Sequence, residues 1–322
     1  MYKMNYNELF IDKKYGELLS SIRLPDRNQT SVFLHINNYC NYDCSYCGYN
    51  VKSQEIKFDY DICKLKMFFT LFLDKIHKER KLRFVITGGE TTLYPNLIEL
   101  CEYLYNKKVD CIRLNTNGSG DLNLYKQLMK YNVALHITYH PQANCYNNLM
   151  KLSEYLISEN YTNWDMNVLL IKLPNKYEKE IFKFLNTPII NYGYIRLQDQ
   201  DYYSEGYTEY LKYFKDSDTL EAKYKLEFEN KTLYIKEFEV LNNLITKGNF
   251  FKGMYCNMYS DKIRCYPDFI QIQCFEDYYP MTIKGIFDFI KNYEIYKYGK
   301  KCNCNTCYYD CMTSIYKHRE LK

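Results

Sequence analysis

The sequence contains no run approaching the roughly 18 uninterrupted apolar residues of a membrane-spanning helix, which argues against a transmembrane helix. It holds no internal repeat and no low-complexity segment, so a solenoid and a disordered tract are both excluded. The opening stretch Met1–Glu17 places charges and amides where a secretory signal needs its apolar core. The chain is therefore expected in the cytoplasm, with its cysteines reduced. An excess of one charge is lacking too: 43 basic and 39 acidic residues leave a net +4, and no long basic run marks a nucleic-acid footprint. Neither nucleic acid nor a membrane is expected as a partner.

What is present is ordinary globular material, 47 % apolar and 25 % charged, in a chain of 322 residues that suffices for one large domain or two. The 38 tyrosines accompany abundant Lys, Asn and Ile and read as a compositional bias. The unusual number is fourteen cysteines, because a reducing compartment does not favour a disulfide framework and metal binding becomes the leading explanation. Cys40, Cys44 and Cys47 form one knot, while Cys256, Cys265, Cys274, Cys302, Cys304, Cys307 and Cys311 crowd towards the C-terminal end. Cys63, Cys101, Cys111 and Cys145 are scattered and read as small buried hydrophobes.

From residue 31 to about 200, short β-rich runs alternate with stretches of helical period, the pattern of a parallel sheet wrapped by helices. The expected strands are Val32–Asn37, Leu82–Ile86, Cys111–Asn115, Val133–Thr138, Asn167–Ile171 and Tyr194–Leu197. Between them, Tyr60–Ile76 and Leu97–Tyr105 carry apolar residues at helical spacing. Six βα units predict an α/β fold, an open, partial (β/α)6 TIM barrel with its active site at the C-terminal ends of the strands. Residues 1–30 are then an N-terminal extension and 31–200 the barrel. A bridging region, 201–253, includes a hairpin over Tyr224–Ile235 and a short helix over Glu237–Thr246. Residues 254–322 form a small cysteine-rich domain.

The segment Cys40–Cys47 spaces three thiolates as C-x3-C-x2-C directly after the first expected strand, at the mouth of the barrel. Three cysteines can hold three irons of a [4Fe-4S] cluster and leave the fourth iron open to a small molecule, whereas a structural zinc site is normally closed by four protein ligands. With Tyr46 as the aromatic before the last cysteine, the pattern resembles the radical S-adenosylmethionine (SAM) superfamily. The resemblance extends to Thr87-Gly88-Gly89-Glu90 after the second strand, similar to the family's GGE motif that receives the methionine amino group of SAM. Two glycines let the backbone approach a ligand closely, and an acid can hold an ammonium. Asn115-Thr116-Asn117-Gly118 ends the third strand like the family's turn near SAM, and Thr138 can supply a hydroxyl to the SAM carboxylate or ribose. His140, before Pro141, reads either as a turn residue or as a proton-transfer group. The resemblance thus implies Tyr46, Gly88, Gly89, Glu90, Asn117 and Thr138 as cofactor-binding residues, and Cys40, Cys44 and Cys47 as cluster ligands.

Between Cys256 and Cys274 the stretch IRCYPDFIQIQC alternates like a hairpin turning at Pro267-Asp268, which returns Cys274 towards Cys256. The tail resembles the twitch and SPASM extensions of radical SAM enzymes, where a glycine turn lies between two such cysteines; Phe269 occupies the glycine position here. Cys302-x-Cys304-x2-Cys307-x3-Cys311 follows and can complete a four-thiolate site. The resemblance implies one auxiliary cluster of the twitch kind, most economically on Cys256, Cys274, Cys304 and Cys307. Cys311 competes for one place, Cys302 stays open, and Cys265 reads as a packing residue. A zinc ribbon on the same thiolates is the competing reading.

Taken together, the resemblance implies an enzyme with two [4Fe-4S] clusters and S-adenosylmethionine as cofactors. Reductive cleavage of SAM would yield a 5′-deoxyadenosyl radical that abstracts hydrogen from a small-molecule or peptide substrate, with the auxiliary cluster assisting its oxidation or binding. An electron donor such as flavodoxin or ferredoxin is implied as a partner. The short stretch ahead of the first strand favours a small molecule, or a peptide presented by a separate protein. A reading from a different class is a zinc-bound interaction protein built on a catalytically inactive barrel.

Overall fold

The computed structural model describes residues 19–23, 28–44, 47, 58–76, 79–143, 145–170, 183, 187, 194–199, 223–228, 232–236, 254–272, 277–302 and 317–318. Contacts group the described parts of 33–69 and 82–216 in one unit and those of 1–32, 70–81 and 217–322 in another. The first unit is the open, partial α/β barrel. Its strands β2 (Gln29–His35), β3 (Lys81–Thr87), β4 (Cys111–Thr116), β5 (Ala134–Tyr139), β6 (Trp164–Leu170) and β7 (Tyr194–Asp199) lie side by side in chain order. From β3 to β7 each neighbouring pair is parallel. All six expected strands are present; β6 begins three residues early, at Trp164, and β2 at Gln29.

Alternation within these strands separates two faces. Phe84 and Ile86 on β3, Ile112 and Leu114 on β4, Leu135 and Ile137 on β5 and Met166 on β6 are buried. The helices α1 (Ile62–Ile76), α2 (Leu97–Asn106), α3 (Leu122–Lys130) and α4 (Tyr146–Ser158) each carry an apolar stripe. Leu97, Leu100, Cys101 and Leu104 recur at helical spacing in α2, as do Leu149, Leu152, Ser153 and Leu156 in α4. Phe69 of α1 meets Phe84 edge-on at 4.9 Å between centroids, and burying each such ring is worth about 1.5–3 kcal/mol. Asp121 caps α3 by accepting from Asn123 N at 2.6 Å. After α2, α3 and α4 the chain reverses through Lys108, Asn132 and Asn160, all with positive φ.

The second unit carries a six-stranded sheet in the order β14-β10-β15-β1-β8-β9. Its members are β1 (Leu19–Arg23), β8 (Lys223–Phe228), β9 (Thr232–Lys236), β10 (Tyr255–Cys256), β14 (Lys300–Lys301) and β15 (Lys317–His318). The expected hairpin is β8–β9, with Glu227 opposite Thr232. The expected helix over 237–246 lies outside the described residues. Beyond β10, strands β11 (Lys262–Cys265), β12 (Phe269–Ile272) and β13 (Asp277–Pro280) form an antiparallel meander, preceded by the short helix α5 (Met258–Asp261) and followed by α6 (Ile283–Tyr296). The β11–β12 hairpin turns at Pro267-Asp268 as the sequence indicated. Phe269 starts β12, where it stacks on Tyr266 at 4.7 Å. Tyr266 N donates to Phe269 O at 2.8 Å and Met281 N to Asp268 O at 2.7 Å, so backbone bonds close the turn without a glycine. Phe289 and Tyr293 of α6 pack on Phe72 at 5.3 and 5.8 Å. No helix among the described residues is long and apolar enough to cross a membrane.

Candidate functional site

The loop that follows β2 carries the three cysteines and is fastened to the turn after β3. Gly89 N donates to Asn37 O at 3.0 Å, Glu90 N to Tyr39 O at 2.8 Å, and Asn37 Nδ2 to Glu90 O at 2.8 Å. The contact admits no side chain on the glycines. A Cβ on Gly89 would sit 1.9 Å from Tyr39 O, and one on Gly88 2.5 Å from Asn37 O. The two glycines, expected to let the backbone approach SAM, therefore also let the two loops approach each other.

Glu90 is 1 % exposed and lies at the centre of this assembly. Its Oε1 accepts from Thr92 N at 3.0 Å, Thr92 Oγ1 at 2.7 Å and Thr116 Oγ1 at 2.6 Å; its Oε2 accepts from Asn117 N at 2.7 Å. Burial raises the carboxyl pKa, and the bonds from Thr116, Asn117 and Thr92 oppose the rise. Glu90 thus accepts from the protein at both oxygens and joins the ends of β3 and β4. A buried acceptor that is not so taken is Asn37 Oδ1, beside Gly88, which has no hydrogen-bond partner among the described residues.

Asn117 approaches the cysteine loop from the β4 turn. Its Nδ2 donates to Asn41 Oδ1 at 3.0 Å and lies 3.7 Å from Cys40 Sγ, while Asn41 Nδ2 donates to Ser119 Oγ at 2.8 Å. Gly118, at φ 76°, makes the left-handed turn that aims Asn117 back at the loop. Cys40 Sγ also accepts from Tyr42 N at 3.3 Å, and Cys44 Sγ lies 3.4 Å from His140 Nδ1. Burial raises the Cys40 pKa, and the charges of Glu90, Cys44 and Cys47 raise it further. Three half-buried thiols within eight residues suit a polycationic partner such as an iron-sulfur core. Among the described residues, no three His, Cys, Asp or Glu side chains gather as they would around a single ion. A cluster attaches each thiolate to a different iron and does not require such convergence.

Thr138 lies on the half-buried face of β5, opposite Asn167 of β6. The same face carries a cluster the sequence reading did not single out. Arg113 of β4 pairs with Asp165 of β6 at 3.2 Å, His136 of β5 contacts both, and Asn167 Nδ2 lies 2.8 Å from His136 Nε2. The signal was available in the alternation, since CIRLNT, ALHITY and WDMN each place polar residues two apart.

Of the remaining expected ligands, Cys256 is buried on β10 in the second unit. Tyr46, Cys274, Cys304, Cys307 and Cys311 lie outside the described residues. Cys265 is fully buried, and burial raises its pKa well above that of a free thiol, as fits packing. Among the scattered cysteines, Cys101 and Cys145 are buried as expected; Cys63, exposed in the first turn of α1, and Cys111, half-buried at the start of β4, depart from that expectation.

Residues 34–155 match the family described as the Radical SAM superfamily. The barrel carries this match from β2 into α4. Its fold is shared with the structure of Streptococcus suis SuiB bound to S-adenosylmethionine, at 15 % identity over 76 % of this chain and 60 % of that one, with a TM-score of 0.50. A structure of anSMEcpe with bound AdoMet aligns at 17 % identity over 53 % of this chain and 51 % of that one, TM-score 0.41. BtrN in complex with AdoMet and 2-DOIA aligns at 14 % identity over 84 % and 87 %, TM-score 0.42. The chain spans between half and about three fifths of the length of anSMEcpe and SuiB. No curated protein matches the sequence.

Proposed function

We propose that this protein is a radical SAM enzyme that binds a [4Fe-4S] cluster on Cys40, Cys44 and Cys47 and cleaves S-adenosylmethionine reductively. The observation that carries the reading is the three-thiol loop at the C-terminal end of β2, pinned backbone to backbone on the Gly88-Gly89 turn of a radical SAM domain. A cluster held there would supply the electron for reductive cleavage of SAM to methionine and a 5′-deoxyadenosyl radical, the hydrogen abstractor. The protein's own residues then hold and orient. The Gly88-Gly89 backbone and the unmet Asn37 Oδ1 accept hydrogen bonds from the methionine ammonium. Glu90 fixes that turn and the β4 turn against each other, so Asn117 stays aimed at the cysteine loop. Thr138 offers its hydroxyl to the SAM carboxylate or ribose, and Tyr46 completes the cofactor-binding set.

An auxiliary cluster on Cys256, Cys274, Cys304 and Cys307, with Cys311 as the alternative for one place, would accept an electron from the substrate or bind it. The substrate is a small molecule or a peptide, and the electron donor a flavodoxin or ferredoxin. The test is anaerobic incubation of the iron-loaded protein with SAM and a reductant, with 5′-deoxyadenosine quantified. Replacing Cys40, Cys44 or Cys47 by Ala should abolish the product. Product formation retained in any of the three would overturn the assignment.

A further inference from the structure

We infer that His140 is a positioning residue for Cys44: its Nδ1–H donates a hydrogen bond to the Cys44 sulfur, holding that ligand and favouring the reduced cluster. The inference rests on the reading of Cys44 as an iron ligand. His140 closes β5 at the same end of the sheet as the cysteine loop, and its Nδ1 lies 3.4 Å from Cys44 Sγ. His140 is held through its backbone and its ring. Pro141 follows it and is buried, which confines the His140 backbone to extended conformations. His140 O accepts from Ala143 N at 3.0 Å and from the Cys145 thiol at 3.3 Å. The Tyr42 ring, from the cysteine loop itself, stands edge-on to the imidazole at 5.9 Å and 76°.

Chemistry then fixes the direction of the bond. A free thiol can donate to an imidazole nitrogen or accept from it, but an iron-bound thiolate has no proton and only accepts. Once Cys44 is a ligand, the contact is a hydrogen bond only if the ring carries its proton on Nδ1. A donor aimed at a ligand sulfur stabilises the more negative state, because reduction places additional charge on the cluster and its thiolates. Hydrogen bonds to the sulfurs are among the levers that set the reduction potential.

The experiment compares full-length parent, His140→Leu and His140→Asn, each loaded anaerobically with iron and sulfide, in a redox titration followed by electron paramagnetic resonance without SAM. The signal followed is the one that Cys44→Ala abolishes. Asparagine places an N–H near the position of Nδ1, whereas leucine fills the space without a donor. His140→Leu should make the midpoint more negative, with a reduced-to-oxidised ratio about threefold to tenfold lower at fixed ambient potential, a fraction of one charge-assisted hydrogen bond. His140→Asn should return towards the parent. A leucine variant with the parental midpoint, or an asparagine variant displaced as far as leucine, would overturn the inference. If His140→Leu takes up no iron, a parental midpoint in His140→Asn supports the donor role and a displaced one refutes it. A parent with no Cys44-dependent signal would instead sink the cluster assignment itself.

Discussion

Replacing Glu90 by Gln keeps the shape of the side chain while removing its charge and exchanging one acceptor oxygen for an NH2. Four donors converge on this carboxylate: the backbone N–H groups of Thr92 and Asn117 and the hydroxyls of Thr92 and Thr116. A threonine hydroxyl can turn and accept from an amide; a backbone N–H cannot. With the NH2 on the Asn117 side, Asn117 N–H is left unmet, and with it on the other side Thr92 N–H is left unmet. The site is 1 % exposed, so water does not substitute. A hydrogen bond to a charged group is worth about 1.5–3 kcal/mol and an unmet buried donor costs about 1–3 kcal/mol. Since both numbers describe partly the same event, the expected loss is roughly 2–4 kcal/mol.

Urea unfolding followed by fluorescence measures this, because the only tryptophan is Trp164, buried on β6 within the same unit. A loss of about 3 kcal/mol moves the midpoint by roughly 1 M if the slope is near 3 kcal/mol per molar. Burial raises the Glu90 pKa and its hydrogen bonds oppose this. If burial prevailed and the folded protein held Glu90 protonated at neutral pH, glutamine would mimic it closely. A loss below about 0.5 kcal/mol would therefore refute the view of Glu90 as a carboxylate clasp.

Gly89→Ala places a methyl 1.9 Å from Tyr39 O and should displace the cysteine loop. The Cys44-dependent resonance signal should be lost while Trp164 still reports a folded sheet; a parental signal in this variant contradicts the fastening role of Gly89. For the tail, two cubane clusters require about eight irons per chain, so Cys256→Ala with Cys274→Ala should bring the count to about four. Stoichiometric zinc in the parent that disappears from the double variant would show a structural zinc site and remove the electron-accepting role.

The barrel was legible because its strands are short, apolar and β-rich and its helices repeat at helical spacing, two periods that a single sequence displays. The start of strand β6 is less legible because Trp164, Asp165 and Met166 stand out less than the apolar run that follows Asn167, although alternation continues through them. Strands β1 and β15 escaped because their pairing is not local: Ser21 and Ile22 lie opposite His318 and Lys317, nearly the length of the chain away. Nothing in five residues such as LSSIR announces such a partner. The Pro267-Asp268 turn was legible for the opposite reason, since a hairpin's chemistry is contained in its own few residues.

The motif residues show a different limit. A cysteine triplet states its chemistry through its atoms, because three thiolates within eight residues can serve one metal centre. Gly88-Gly89-Glu90 shows what it can offer a ligand, yet two neighbours that no spacing rule reveals also constrain it: Tyr39 O against Gly89, and the Thr116 hydroxyl with the Asn117 backbone N–H against Glu90. Both neighbours belong to loops that must themselves be held for a cofactor to bind. Substitutions in the motif would then lower SAM binding by moving the cysteine loop even where the substituted atom touches no SAM. Loss of SAM binding in a Gly89 or Glu90 variant consequently does not identify a contact. The two effects separate in the SAM-free protein: a contact residue leaves the Cys44-dependent signal as it was, and a fastening residue alters it before SAM is added.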